Sequence, residues 1–180
     1  MTSAQATGTD RATTTQVHRV YIKATAERIW QAITDPGWNG RYGYGAPGRY
    51  ELRPGGAYVS HASEEMKKAA AAMGWELPEV IVDGEVQEVD EPRRLVQTWR
   101  MTMDPRTAAE GFSRLTWEIE GPGPDGVCRL TVTHELGGMP TLAAMTSGDN
   151  EFGEMGGGGW PWILSDLKSL LETGEAFPKG

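Results

Sequence analysis

The sequence predicts an α+β domain in which a curved antiparallel sheet wraps around a long C-terminal helix, with a short helix near the N-terminus. Two observations support this prediction. Strand-like segments follow one another from residue 80 to residue 136 without a helix between them, which indicates an antiparallel meander. One strong amphipathic helix comes afterwards, at residues 160–172, and one face of such a sheet needs a cover.

The first elements are a strand and a short helix. Residues 1–16 are rich in Thr and Ala and have no apolar periodicity, so we expect a disordered leader there. The next six residues alternate between apolar and polar, as in a half-buried strand. Thr25 is a suitable N-cap for a helix from Ala26 to Thr34. Pro36 ends that helix because proline disfavours helical backbone in the residue before it.

The middle of the chain predicts a hairpin, a helix and then the meander. Residues 38–48 are rich in Gly, Tyr and Trp and are predicted to be irregular. Arg53-Pro54-Gly55-Gly56 is a turn signal between strands at residues 49–52 and 57–60. Residues 64–73 favour a helix because alanines dominate them. The meander strands are predicted at Val80 to Val89, Leu95 to Met101, Phe112 to Glu120 and Cys128 to Leu136.

The last helix is predicted from Trp160 to Glu172, after a Gly- and Met-rich linker, and Thr173-Gly174 should end it. Its apolar stripe consists of Trp160, Leu164, Leu167 and Leu171. A helix of this length spans ~20 Å, about the length of a six-residue strand. A strongly curved sheet around one helix is expected to leave a space between them that side chains alone do not fill.

The composition excludes several classes of partner. The formal net charge of −8 disfavours binding to nucleic acid or to an anionic membrane surface. One cysteine, Cys128, excludes an intrachain disulfide framework and fits a reducing cytoplasm. The three histidines lie on separate predicted elements without metal-ligand spacing, so we expect neither a metal nor another cofactor. The sequence is therefore interpreted as that of a cytoplasmic monomer or weak homodimer.

Strand alternation predicts which side chains face the last helix. Leu95, Gln97, Trp99 and Met101 share one face of their strand. Two further inward rows place Trp117 and His134 among apolar neighbours, and an apolar cavity with a few polar groups is typical of a small-molecule site. The predicted ligand-binding residues are Trp38, Tyr42, Tyr44, Met66, Met73, Trp99, Met101, Trp117, His134, Trp160 and Leu164.

An enzymatic alternative remains open at this stage. A shaped cavity can fold a reactive poly-β-ketone and move protons with one or two polar groups, without a nucleophile. In that case the catalytic candidates are His134, Gln97 and Tyr44, with Tyr42 as a substitute for Tyr44. A third alternative is a protein-interaction or chaperone-cofactor module that acts through its surface.

Several motifs are spread along most of the chain: the segments 20–24 and 26–36, the Gly55-Gly56 turn, Pro92 to Trp99, Leu130 to Glu135, and Gly159 to Leu164. Together they resemble the START-like (SRPBCC) superfamily, and within it the proteins related to the C-terminal domain of the Hsp90 ATPase activator. The resemblance implies a helix-grip fold and a ligand-binding domain over residues 17–176.

Relatives implied by this resemblance include chaperone activators, lipid carriers, polyketide cyclases and aromatases, and sequestering self-resistance proteins of antibiotic producers. We therefore expect the chain to bind, sequester or carry an apolar metabolite, such as a polyketide-like molecule. The segment from His61 to Pro78 is longer than a hairpin connection, and its helix is predicted to form a lid.

Overall fold

The computed structural model describes residues 14–149 and 158–178, in which seven strands form one antiparallel sheet and six helices pack around it. The strands are β1 (Thr15–Ile22), β2 (Gly48–Tyr50), β3 (Ala57–His61), β4 (Val80–Asp90), β5 (Arg94–Met101), β6 (Ser113–Glu120) and β7 (Cys128–Glu135). The helices are α1 (Ala26–Thr34), α2 (Pro36–Asn39), α3 (Glu64–Ala72), α4 (Pro105–Glu110), α5 (Pro140–Thr146) and α6 (Gly159–Thr173). The predicted α+β helix-grip architecture is confirmed.

The sheet has the order β1-β7-β6-β5-β4-β3-β2, so all strands except β1 follow a simple meander. The N-terminal strand β1 instead pairs along its whole length with β7. Gln97 of β5 faces Leu115 of β6, and Leu115 faces His134 of β7. These three side chains form one row on the inner face of the sheet, because strand alternation places every second residue on the same face.

Helix α6 covers the inner face with the predicted stripe. Trp160, Leu164, Leu167 and Leu171 are all buried, and Leu167 is completely inaccessible to solvent. Gly174 ends the helix in a left-handed conformation and donates its backbone N–H to the Leu170 carbonyl. The stripe packs against β1, near the N-terminus, and against His134 of β7, near the C-terminus. Helix α6 is therefore part of the core.

Helices α2, α4 and α5 were not predicted. Each is short, lacks a regular apolar pattern, and has backbone N–H groups at its start that donate to a carboxylate. The Asp35 carboxylate caps α2, and the Asp104 carboxylate caps α4. In α5 the backbone N–H groups of Thr141 and Leu142 donate to the carboxylate of Glu110, which lies 31 residues or more away in the sequence. The predicted linker before the last helix therefore contains a helix, and its residues 150–157 lie outside the described residues.

The N-terminal boundary of the domain lies slightly earlier than predicted. Strand β1 begins at Thr15, and Gln16 already donates its side-chain N–H to the Ala143 carbonyl at 2.8 Å. The Thr146 hydroxyl donates to the Gln16 side-chain oxygen, so Gln16 connects β1 with α5. The predicted leader is corrected accordingly at residues 14–16, and residues 1–13 lie outside the described residues.

Candidate functional site

The inner face of the sheet has two differently built halves. We call β1, β7 and β6 the helix-covered half, where α6 packs and where Leu115, Leu130 and Val132 are at most 1% exposed. We call β2, β3, β4 and β5 the tyrosine half, since Tyr50 and Tyr58 face inward there and are only half-buried. The predicted site residues are divided between the two halves.

In the helix-covered half, the ring of His134 is fully bonded to its neighbours. The Trp160 indole Nε1–H donates to His134 Nδ1 at 3.1 Å. His134 Nε2 therefore carries the ring proton and donates it to the Ser113 hydroxyl at 2.7 Å. Ser113 in turn donates to the backbone carbonyl of Trp99 at 2.8 Å. Every hydrogen-bonding atom of the imidazole is thus engaged within the protein.

The same burial keeps His134 uncharged. Burial, with a smaller contribution from the nearby His18, lowers the pKa of His134 to about 3. The rings of Trp99 and Trp160 contact the imidazole edge-on, with centroids at 5.4 and 5.8 Å. At neutral pH His134 is a neutral, fully hydrogen-bonded core residue, which disfavours its predicted role as a proton-transfer group.

Gln97 occupies the same row but is bonded quite differently. Its side chain is 0% exposed, yet neither Oε1 nor Nε2 has a hydrogen-bond partner among the described residues. A buried amide without partners destabilises a protein by about 1–3 kcal/mol, so such groups are rare. The Tyr50 hydroxyl lies beside Gln97 but outside hydrogen-bonding geometry.

Trp117 adds a second unpaired donor close to Gln97. Trp117 of β6 faces Leu95 of β5, which makes it a diagonal neighbour of Gln97 on the inner face. Its indole Nε1 is buried and has no partner among the described residues. The Trp117 ring packs edge-on against Trp160, with centroids 5.4 Å apart. Within the part of the chain that the structure describes, three buried polar atoms on β5 and β6 therefore lack hydrogen bonds.

The tyrosines border this region from β2 and β3. Tyr50 and Tyr58 face each other across the strand pair, and their rings stack with centroids 4.4 Å apart. Burial raises the pKa of the Tyr58 phenol to about 12, and burial raises that of Tyr50 well above its usual range. Both hydroxyls are therefore protonated at neutral pH and able to donate hydrogen bonds.

Gly84 explains how Tyr58 reaches the interior. A Cβ atom at Gly84 would lie 1.9 Å from the Thr98 carbonyl oxygen, so only glycine fits this position of β4. Gly84 pairs with Tyr58 on one side. Because no side chain stands at Gly84, the Tyr58 hydroxyl lies beside the Trp99 indole on the following strand.

Flexible apolar side chains surround the outer end of the tyrosine half. Met66 of α3, Leu77 after it, and Met101 and Met103 at the end of β5 are half-buried against the core. The segment carrying α3 is fastened at its base, where Lys67 bonds Glu79 at 2.8 Å and the Ala62 N–H donates to the Glu79 carbonyl. Methionine-rich borders are typical of sites that adapt to varied apolar shapes.

The other predicted site residues lie elsewhere. Trp38 is half-buried with the Arg41 guanidinium 4.5 Å from its ring centroid. Tyr42 is buried and donates its hydroxyl to the Ala32 carbonyl, while Tyr44 is 40% exposed beside the start of α6. Met73 is 45% exposed at the end of α3. The segment 38–44 thus closes against α1 and α6, instead of bordering an opening as predicted.

A separate groove of about 180 Å³ lies between β1 and α6. It is lined by His18, Arg19, Val20, Pro161, Leu164 and Ser165. Of the predicted pocket residues only Leu164 borders it. Trp99, Trp117, His134 and Trp160, predicted to line a cavity under α6, pack against one another as a buried aromatic cluster.

Sequence reasoning missed Tyr50 and Tyr58. Their strands were predicted, but the face on which their side chains lie was not. The Arg53-Pro54-Gly55-Gly56 turn did not supply this signal, because a connection over these four residues pairs Tyr50 with Val59 and places Tyr58 on the opposite face. The observed register pairs Tyr50 with Tyr58, a shift of one residue that only the folded sheet shows.

Two further classes of site are not found in the described ranges 14–149 and 158–178. No group of three His, Cys, Asp or Glu side chains there is placed to hold a metal ion. No helix in those ranges is long and apolar enough to span a membrane.

Comparison of sequences matches residues 23–172 to the family described as "Activator of Hsp90 ATPase homolog 1-like protein". This match covers most of the chain and confirms the resemblance noted from its motifs. No curated protein matches the chain.

Solved structures share the fold at low sequence identity. CalU16 from Micromonospora echinospora is 19% identical with a TM-score of 0.50, and the match covers 72% of this chain and 64% of that one. DynU16, from the dynemicin biosynthetic locus, is 18% identical with a TM-score of 0.59, covering 90% of this chain and 48% of that one. The Aha1 dimer from Colwellia psychrerythraea is 15% identical with a TM-score of 0.58, covering 91% and 99% respectively. This chain therefore corresponds to only part of CalU16 and DynU16.

Proposed function

The chain belongs to the family of Activator of Hsp90 ATPase homolog 1-like proteins, and we propose that it binds an apolar small molecule at the tyrosine half of its sheet. The observation that carries the proposal is Gln97, a completely buried amide with no hydrogen-bond partner among the described residues. Such a group is destabilising in the empty protein and becomes favourable when a ligand supplies the missing partners.

The ligand would enter past the methionines. Met66, Leu77, Met101 and Met103 are half-buried and uncharged, so they can move apart without exposing a buried charge. Gln97 itself is closed off in this structure, and binding therefore requires the Tyr50, Tyr58 and Met101 side chains to shift. Tyrosine and methionine side chains can change rotamer while the strands that carry them stay paired.

Binding without chemical change is the favoured form of this function. His134 is neutral and bonded at both ring nitrogens, and the pKa values of Tyr50 and Tyr58 are raised. None of these groups can exchange a proton readily at neutral pH, as a general acid or base must. The likeness to DynU16, a protein in the dynemicin biosynthetic locus, supports a secondary metabolite as the ligand and sequestration or carriage as the role.

The proposal is tested with Nile red, an uncharged dye whose fluorescence rises in apolar surroundings. We expect saturable binding at one dye per chain. Met101→Trp should fill the entrance and weaken binding about tenfold, equivalent to ~1.4 kcal/mol. The matched control is Val17→Trp, at a position that is 44% exposed on β1, and it should bind as the unchanged protein does.

Two results would contradict the proposal. One is the absence of saturable dye binding, and the other is equal affinity in the Met101→Trp and Val17→Trp variants. Native mass spectrometry of freshly purified protein provides an independent check, because a bound metabolite would add its mass to that of the chain.

A further inference from the structure

We infer that the ligand is an uncharged, planar molecule that presents a hydrogen-bond donor and an acceptor side by side to Gln97. A lactam, a carboxamide and a hydroxy-ketone have this arrangement. The inference rests on the proposed function and adds to it the polarity and charge of the ligand.

The requirement for both a donor and an acceptor follows from which atoms are unpaired. Gln97 Nε2 can donate and Gln97 Oε1 can accept, and both lack partners among the described residues. A purely apolar ligand would leave both atoms unpaired. A ligand with only an acceptor would satisfy Nε2 and leave Oε1 buried without a proton donor.

Trp117 strengthens the need for an acceptor. Its unpaired indole Nε1–H can only donate, and it lies diagonally across from Gln97 on the next strand. The ligand should therefore offer an oxygen that accepts from Trp117 or from Gln97 Nε2. The phenols of Tyr50 and Tyr58 stay protonated at neutral pH and provide further donors at the edge of the site.

The absence of charge is inferred from the side chains that face the site. Those described on the inner face of the tyrosine half are all neutral: Tyr50, Tyr58, Ser60, Gln97, Trp99 and Met101. Charged residues of the same strands alternate onto the outer face, where Arg100 bonds Asp83 and Arg94 bonds Glu118, both at 2.6 Å. An ionised ligand would be buried without a counter-charge, which is strongly unfavourable.

Planarity is inferred from the aromatic surroundings. Four aromatic rings lie on the inner face on either side of Gln97: the stacked rings of Tyr50 and Tyr58 on β2 and β3, and those of Trp99 and Trp117 on β5 and β6. Flat faces pack efficiently against such rings, and aromatic pairs gain more than their buried area alone predicts.

Three nearly isosteric probes test these features by isothermal titration calorimetry: naphthalene-2-carboxamide, 2-acetylnaphthalene and naphthalene-2-carboxylate. The first presents a donor and an acceptor, the second only an acceptor, and the third a charge. We expect the carboxamide to bind about tenfold more tightly than the ketone, as one buried hydrogen bond would give. The carboxylate should show no measurable binding.

The test variant is Gln97→Met, which keeps the size of the side chain and removes both polar atoms. It should bind the carboxamide and the ketone equally. Gln87→Met, on the exposed face of β4, is the matched control and should keep the preference. Gln97→Met should also unfold at the same or a higher urea concentration, because it removes an unpaired buried amide.

The possible failures are distinguishable. If the ketone and the carboxamide bind equally well to the unchanged protein, the inferred polarity is wrong and the proposed binding function stands. If none of the three probes binds and Nile red does not bind either, the proposed function fails together with the inference. If Nile red binds while the three probes do not, only the inference fails. If Gln97→Met is clearly less stable than Gln87→Met, then Gln97 is a structural residue and the inference is overturned.

Discussion

Gln97 and His134 are the two buried polar side chains of one row across the sheet, separated only by Leu115. Both are 0% exposed. His134 has a partner for each ring nitrogen, from Trp160 and Ser113, whereas Gln97 has none among the described residues. Polarity and burial alone therefore do not identify a ligand-binding group.

Under the proposed function, this difference separates a structural polar group from a ligand-binding one. A buried polar residue that the fold needs is supplied with partners by the fold, as His134 is. One that is left without partners lowers stability, and a functional role explains why it is present. Under the proposed function, the tyrosine half is the region that binds the ligand, and the packing of α6 on the helix-covered half supports it.

A charge placed under α6 is expected to cause the largest loss of stability. Leu167→Asp introduces an unpaired carboxylate at a position with no solvent access, and we expect it to unfold the domain or destabilise it by more than about 4 kcal/mol. Ser165→Asp, two residues earlier and exposed, is the control and should be near neutral. Urea unfolding measures both, and a Leu167→Asp variant of normal stability would refute the packing of α6.

Removing His134 should have the next largest effect. His134→Leu leaves the Trp160 indole N–H without its acceptor and Ser113 without its donor, which should destabilise the domain by about 2 kcal/mol at pH 8. Gln97→Met should not destabilise it. Equal losses in the two variants would remove the distinction between the two halves.

The stability difference between His134→Leu and the unchanged protein should depend on pH. His134 has a pKa of about 3 in the folded protein and ~6.5 in the unfolded chain, so below pH 6.5 only the unfolded state gains the proton. This group should therefore lower the stability of the unchanged protein by ~1.4 kcal/mol per pH unit as the pH falls from about 6 towards 4. His134→Leu lacks this loss, so its disadvantage should shrink as the pH falls. A disadvantage that stays constant with pH would show that His134 titrates normally.

Two tyrosines provide a smaller and closely matched comparison. Pro36 has no N–H to donate to the Ala32 carbonyl, and the Tyr42 hydroxyl takes that place at 3.1 Å. Tyr42→Phe should thus cost about 1 kcal/mol of stability. Tyr58→Phe should change stability by less than about 0.5 kcal/mol and weaken ligand binding. The opposite ranking in thermal unfolding would contradict these roles, because Tyr58 would then be the structural tyrosine.

The smallest effect is expected at the N-terminus. Deleting residues 1–13 should leave the thermal midpoint unchanged, because composition predicts no apolar face in that segment. Extending the deletion through Gln16 should lower stability by about 1–2 kcal/mol, since it removes the side-chain bonds to Ala143 and Thr146 and two residues of β1. If the shorter deletion is equally harmful, the leader is part of the folded domain.

The fold class, the meander and the last helix could be predicted from the sequence, because each produces a local periodicity of apolar residues. Alternation and the Arg53-Pro54-Gly55-Gly56 turn placed the strands, and the stripe from Trp160 to Leu171 placed α6. Helix α5 could not be predicted in the same way, because its first N–H groups are satisfied by Glu110, which only the fold brings close.

Which of the inward polar residues are hydrogen-bonded could be seen only in the tertiary structure. In the sequence Gln97 and His134 look alike, as single polar groups in apolar strands. Ser113 and Trp160, which satisfy His134, lie 21 and 26 residues away along the chain. Whether a buried polar atom finds a partner depends on such distant side chains meeting at hydrogen-bonding distance, and local pattern contains no information about that meeting.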